Sequence, residues 1–431
     1  MKRFLENISE LKHFLILWLT QALSALGTSM TAFGLVIWSY QAEGSALTTA
    51  LLTVSSYAPY VLVSIFAGTL IDRWDKRRVM LTVDAVAALS TLAVLALYLT
   101  DNLQIWHLYA LNALSGLMNT VQQPASEVAV TLLTPEKHYQ RVSGLKALSN
   151  ALVTVLTPSL AAALLAFGGL DLVITFDLCT CAAALVALGF FIRIPEETTK
   201  KSAAEPVLKS AAQGLKYLGA NRGILDMILF LACINFVASM YNAALPAMLL
   251  SRTGGGETVM GVVNTFTGLA TLAGSLIGSL CPRPKSRVRV ICNALLFSMS
   301  TENLLLALGR SAPVWCVGAV LGWIAIPIMN TNLDALFRSY IPVDVQGRVY
   351  SARNTLQFFT IPLGYLLGGW LVDEVCEPFM ARAGGFITRL LGTGKGSGAA
   401  LLFLMIAGVG VAICLIFRAD KHIWALEKKA E

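Results

Sequence analysis

Apolar residues run through this chain in blocks long enough to cross a bilayer, which takes about 20 residues as a helix. Twelve such blocks cover residues 14–40, 45–71, 79–100, 103–133, 147–170, 172–192, 223–250, 258–281, 290–309, 311–337, 354–372 and 399–417. They predict an all-α membrane protein with twelve transmembrane helices. The first block follows a basic start, and Ala22-Leu23-Ser24-Ala25 mimics a signal-peptide cleavage site. Phe14 to Tyr40, however, is 27 residues without a charge, too long for a signal-peptide core, so it reads as a retained first span.

Composition agrees with the pattern. Of the 431 residues, 56% are hydrophobic and 13% charged, with a mean hydropathy of +0.69. A soluble chain carries about 25% charged residues, so a cytosolic fold is excluded, and so is disorder. The eight Cys are scattered, and all but Cys376 lie in or beside apolar runs, where they act as small hydrophobes. His13, His107, His138 and His422 lie far apart with no ligand spacing, so no metal site is expected.

Basic residues set the orientation. With the N-terminus inside and the chain alternating, Arg252, Arg310, Arg382, Arg389 and Lys395 fall outside, and the other 27 of the 32 Lys and Arg fall inside. That bias predicts a multi-pass protein of the plasma or inner membrane with both termini cytoplasmic. The net charge of +7 is then topology and attraction to anionic lipid, with no nucleic-acid partner required.

The chain also repeats itself. Ala67-Gly68-Thr69-Leu70-Ile71-Asp72 runs into a basic turn, and so does Ala273-Gly274-Ser275-Leu276-Ile277-Gly278, about 206 residues later. Pro135 with Arg141 returns as Pro342 with Arg348, and Glu127 returns as Asp334, about 207 residues later. Two parallel copies of six spans make two pseudo-symmetric bundles, residues 1–192 and 223–431, a build found among secondary transporters. Residues 193–222 form a cytoplasmic linker. Its Leu208, Ala211, Leu215 and Leu218 recur at helical spacing, which fits an amphipathic surface helix; a solvated linker is the alternative.

Gly68-x-x-x-Asp72-Arg73-x-x-x-Arg77-Arg78, between spans two and three, resembles the signature of the major facilitator superfamily. Gly27-Thr28-Ser29-Met30-Thr31, Asp72 to Arg78, and Glu377-Pro378-Phe379-Met380 before Gly394-Lys395-Gly396 are similar to its macrolide-exporter-like, drug:proton antiporter branch. The resemblance covers essentially the whole chain and implies the major facilitator fold. It also implies that Gly68, Asp72, Arg73, Arg77 and Arg78 act as a cytoplasmic latch. Arg77 or Arg78 would pair with Glu127, and Arg287 or Arg289 with Asp334 by the repeat. The second copy has Gly278 where the first has Asp72.

The apolar runs hold six carboxylates (Asp84, Glu127, Asp177, Asp226, Glu302, Asp334) and no Lys or Arg. An acid at the bilayer centre costs at least about 2.5 kcal/mol, so each needs a partner or a task. Asp226 has Arg222 four residues away, and Asp334 has Arg338. Asp177 lies near the outer interface and is expected to stay wet. Glu302 is about 12 Å from the nearer end of its span. It is the first candidate for a proton site, and Asp84 the second; the alternative for Glu302 is a structural acid bonded to Asn303, Ser300 or a neighbouring helix.

In the superfamily, spans one, four, seven and ten line the cavity, and the third helix of each triplet lies outside it. Mid-span polar residues there are mostly amides. Gln21, Asn119, Gln122, Gln123, Asn235, Tyr241, Asn330, Asn332 and Gln357 are the candidate substrate cavity. Amides interleaved with rings suit bulky amphipathic molecules, whereas a small anion would call for an Arg. Pro158 and Pro362 are candidate helix kinks. Antiporters of the superfamily carry a Gly-Pro element at the first of these, and Thr157 stands in its Gly position.

Gly394-Lys395-Gly396 is no phosphate loop, since Gly396 replaces the required Ser/Thr. No nucleophile–base constellation suggests an enzyme, and no cofactor is expected. Near it, Phe386, Ile387, Leu390 and Leu391 predict an interfacial helix followed by a Gly-rich hinge. The expected function is proton-coupled efflux of a small amphipathic, drug-like substrate by a monomer embedded in the lipid bilayer. A dedicated exporter or importer of an endogenous metabolite, such as a siderophore, is the alternative.

Overall fold

The computed structural model describes residues 11–71, 74–135, 138–192, 194, 215–281, 284–341, 349, 352, 353 and 355–428. Every regular element among them is helical. In chain order they begin with α1 (Lys12–Glu43), α2 (Ala46–Ile71), α3 (Lys76–Leu99) and α4 (Ile105–Leu133). Tyr139–Val186 then breaks at Gly169, whose φ of 75° and ψ of −171° are not helical, so residues 139–168 are α5 and residues 170–186 are α6. Next come α7 (Arg222–Ser251), α8 (Glu257–Leu280), α9 (Arg287–Leu308), α10 (Ala312–Tyr340), α11 (Thr360–Trp370), α12 (Ser397–Arg418) and a short terminal α13 (Lys421–Lys428).

Among the described residues, ten helical stretches are long and apolar enough to cross a membrane. One of them contains both α5 and α6, and α4 adds a further 29-residue helix, so α1 to α12 match the twelve apolar blocks. Pro158 lies within α5 without interrupting it, and the break falls eleven residues later at Gly169, where glycine alone reaches positive φ at little cost. Pro362 has no N–H to give the carbonyl of Phe358, yet the backbone at Phe359 keeps helical angles, with φ −55° and ψ −32°.

The chain divides into two compact units, Met1–Trp38 with Ser55–Ala204, and Ser39–Val54 with Glu205–Glu431. In the first, Leu17, Met80, Val83, Ala125, Ala129 and Leu188 pack one end of the bundle, while Leu26, Met30, Ala161 and Val173 pack its middle. Asp75 caps α3, its carboxylate accepting from the Arg78 backbone N–H at 3.1 Å. In the second unit Ser286 caps α9 the same way through Arg289. There α13 buries Ile423 and Leu426, and Glu427 accepts from the Val288 N–H at 2.6 Å, one of the unsatisfied donors at the start of α9. Residues 215–220 of the linker are helical and Leu218 is buried; Leu208 and Ala211 lie outside the described residues. Large apolar side chains such as Leu62, Phe167, Phe190 and Ile416 stand exposed, as lipid-facing residues do.

Candidate functional site

Glu302 lies on α9, six residues before its end, in the second unit, 4% exposed. The Tyr241 hydroxyl on α7 donates to its Oε1 at 2.6 Å, and the Trp323 indole N–H on α10 donates to the same oxygen at 2.9 Å. Gly322 makes room, since a β-carbon there would overlap the carboxylate. Tyr241 also packs edge-on against Phe403 of α12. Of the partners anticipated, Asn303 bonds instead to the Met299 carbonyl and Ser300 to the Leu296 carbonyl; the neighbouring helices supply the donors. Tyr241 and Trp323 are both neutral.

In the first unit Asp84 of α3 is held symmetrically. Gln21 of α1 donates to Oδ2 and Gln122 of α4 to Oδ1, both at 2.8 Å. Two of the amides assigned to a substrate cavity are therefore the hydrogen-bond partners of an intramembrane acid. Tyr60 donates to Gln123 at 3.1 Å, Asn235 to the Gln357 carbonyl at 3.2 Å, and Asn332 to the Ile328 carbonyl within its own helix. Asn119 and Asn330 are exposed.

Asp177 departs from expectation. It is fully buried, not wet, because Gly27 lets α1 approach α6 until a β-carbon there would stand 2.9 Å from the Asp177 Cα. Thr28 then donates to Oδ1 at 3.0 Å and Thr91 of α3 to Oδ2 at 3.4 Å.

The charge pairs differ too. Glu127 pairs with Lys146, while Arg77 donates to the carbonyls of Leu188 at 3.2 Å and Gly189 at 2.5 Å, and Arg78 pairs with Asp75. A guanidinium near unsatisfied helix-end carbonyls finds acceptors closer than a carboxylate on the next helix. Asp334 pairs with Arg353 at 3.5 Å, because Arg287 is drawn to the Ala335 carbonyl at 3.0 Å. Asp226 takes His422 of α13 at 3.0 Å, not Arg222. Gly68 is helical, and Asp72 and Arg73 lie outside the described residues.

The residues after α11 come together as well. Asp373, in a π-helical turn at Leu371–Cys376, accepts from Ser45 Oγ and from the backbone N–H groups of Ala46 and Leu47, capping α2. Glu377 accepts from the Gly396 N–H at 2.8 Å and so caps α12. Phe386–Leu391 is a helix, as anticipated, and Gly392, Gly394 and Gly396 after it all have positive φ. Sequence reasoning missed Thr91, Asp373 and His422 as partners; the i, i+3 spacing of Thr28 and Thr31 was the available signal for a polar face on α1.

A model of the Major Facilitator Superfamily matches residues 17–365. The chain belongs to this superfamily. It is 22% identical over 368 residues to macrolide efflux protein A of Streptococcus pyogenes, covering 84% of this chain and 90% of that protein. It is 23% identical to the multidrug efflux pump Tap of Mycolicibacterium fortuitum, covering 83% and 89%. Among solved structures, a bacterial homologue of the iron transporter ferroportin in an inward-facing state aligns with a TM-score of 0.68 at 16% identity, covering 95% of this chain and 99% of that one. The nucleoside transporter NupG aligns at 0.65 with 10% identity, covering 94% and 98%. The fold is thus that of a major facilitator transporter, and the protein is a multi-pass membrane transporter of small molecules, not an enzyme. In a superfamily member the Glu377 and Gly394–Gly396 motif residues have a plain structural task, fixing the start of the twelfth helix.

Proposed function

We propose that this transporter exports amphipathic, macrolide-like compounds in exchange for protons, by alternating access across the plasma or inner membrane, with both termini inside. The observation that carries the coupling is Glu302, an acid buried in the membrane whose Tyr241 and Trp323 partners are both uncharged. Without a cation beside it, the ionised form is expensive there, so the carboxyl holds a proton until hydration or substrate changes its surroundings. Span nine does not line the superfamily's cavity, yet Glu302 reaches Tyr241 and Trp323 on α7 and α10, which do. That gives substrate a route to the acid through two hydrogen bonds. Asp84, bound by Gln21 and Gln122, is the second candidate.

The substrate class rests on the amides and rings of those helices and on the relatives named for macrolide and multidrug efflux. Gly68, Asp72, Arg73, Arg77 and Arg78 are proposed as a cytoplasmic latch by resemblance; Glu127 and Asp334 enter it through Lys146 and Arg353. The monomer is the working unit in this reading.

The test uses protein in liposomes loaded with a pH-sensitive dye, a proton gradient and a panel of macrolides, dyes and lipophilic cations. Substrate-dependent proton flux is expected in the wild type and lost in Glu302→Gln, which keeps the acceptor oxygen but cannot carry a proton. Normal coupled flux in that variant would overturn Glu302 as the carrier. A response to a single endogenous metabolite alone would replace efflux of drug-like compounds with a dedicated carrier.

A further inference from the structure

The predicted topology leaves five cations outside, Arg252, Arg310, Arg382, Arg389 and Lys395, against a bias that keeps Lys and Arg out of such loops. All five belong to the second unit, and four of them fall within residues 310–395. Cations gathered where topology disfavours them call for a counter-charge.

The protein supplies none. Arg252, 9% exposed, spends its guanidinium on the carbonyls of Leu306, Ala307 and Leu391. Arg310, exposed and near Arg252, donates through its Nη2 to the Arg389 carbonyl. The exposed Arg389 side chain meets no acceptor, and among the described residues neither it nor Arg310 forms an ion pair. On the side predicted to be cytoplasmic, by contrast, Arg78, Lys146 and Arg353 each have a carboxylate. The acids just before Arg389 in sequence are engaged elsewhere, Asp373 at the start of α2 and Glu377 at the start of α12, and the exposed Glu374 pairs with neither arginine.

The short Phe386–Leu391 helix supplies the other half of the argument. Phe386 and Arg389 are three residues apart on it and so share a face. Phe386 is 77% exposed, and Phe379, on the helix before, 49%. A ring that open to its surroundings suits the edge of the hydrocarbon, which sets a guanidinium one turn away at headgroup level. Arginine binds phosphate oxygens through paired N–H donors, and the Nε and Nη1 of Arg310 and the whole guanidinium of Arg389 are unused among the described residues. A soluble anion would answer the guanidinium groups and leave Phe386 in water; a phosphate joined to acyl chains answers both. A zwitterionic lipid would bring its own cation to two that already lack an acid. We propose that Arg310, Arg389 and Phe386 form a headgroup site for an anionic phospholipid of the outer leaflet, the phosphate on the two guanidinium groups and the chains along the ring. The site is separate from the coupling acid and from any substrate path.

The test is binding of phosphatidylglycerol with a dansyl-labelled acyl chain to the purified, delipidated full-length protein in neutral detergent, read by energy transfer from tryptophan. Saturable binding is expected, with unlabelled phosphatidylglycerol displacing the probe about tenfold better than phosphatidylcholine of the same chains. Arg389→Gln, which breaks no side-chain contact of the structure, should weaken binding about fivefold without changing the melting temperature in lipid-free detergent. Arg310→Gln with Arg389→Gln should bring it down to the phosphatidylcholine level. Basic residues on the other side attract anionic lipid too, so Lys285→Gln with Arg289→Gln is the control and should keep the tight site. Wild-type affinity in folded Arg389→Gln, or loss of the tight site in the Lys285, Arg289 variant instead, would overturn the proposal. Displacement by inorganic phosphate as effective as by phosphatidylglycerol, at matched ionic strength, would overturn the lipid and leave a site for a soluble anion.

Discussion

Gly322 and Tyr241 show how little freedom the Glu302 cluster has. A β-carbon at Gly322 would have to share space with the carboxylate, which can retreat only by leaving the Trp323 indole. Gly322→Ala should therefore lower substrate-driven proton flux by about tenfold, or ~1.4 kcal/mol of barrier, with insertion into the membrane unchanged. Tyr241→Phe removes one of two donors to a buried oxygen and should cost about 1–3 kcal/mol of stability, read as a lower melting temperature in detergent. Because Tyr241 and Trp323 share Oε1, either alone still satisfies that oxygen, so the double variant Tyr241→Phe, Trp323→Phe should lose more than the two single losses added.

Between helices, close approach replaces the hydrophobic driving force that lipid does not supply, so small residues decide which helices touch. Gly116 of α4 lies against the Ser56 carbonyl of α2, and in the second unit Gly274 of α8 lies against the Ile324 carbonyl of α10. The helix pairs α2–α4 and α8–α10 correspond under the internal repeat, although Gly274 aligns with Gly68 and not with Ser56. A methyl group at either place meets rigid backbone, so Gly116→Ala and Gly274→Ala should each destabilise by about 1–3 kcal/mol in thermal unfolding. Arg252 works at helix ends. Buried after α7, it donates to the carbonyls of Leu306 and Ala307 at 3.1 Å and of Leu391 at 2.6 Å, closing α9 and the short helix before α12. Burial, and then the nearby Arg310, pull its pKa below the usual arginine range, while the three carbonyls favour the charged form. Arg252→Met should strip those carbonyls of their partner and cost about 2–3 kcal/mol, measured as a drop in melting temperature.

For the whole molecule, the twelve apolar blocks and the bias of basic residues make a topology that can be checked without any substrate. A cysteine at Gly385, in the segment before the Phe386–Leu391 helix, should react with a membrane-impermeant maleimide added outside intact cells. One at Gly219, in the linker, should react only after the membrane is opened. The reverse pattern would invert the molecule. The internal repeat is visible at the same scale, with Glu127 on α4 of one unit and Asp334 on α10 of the other.

Hydrophobic length alone determined the number of helices and their order, since a run that must hide its backbone from lipid has only the helix available. The loop motif made the superfamily legible, and Lys and Arg placement predicts the orientation. Partners were another matter. That Asp177 is buried, that Glu302 meets Tyr241 and Trp323, that Arg77 turns to Leu188 and Gly189, and that Arg353 answers Asp334 all depend on which helix faces which. Such facing is set by contacts between residues 20 to 150 positions apart, at Gly27 against Asp177 and Gly322 against Glu302, and hydropathy does not record it. The tertiary structure decided the acids' company, because a side chain in the membrane bonds to whatever donor the packing brings within about 3 Å, not to the one nearest in sequence.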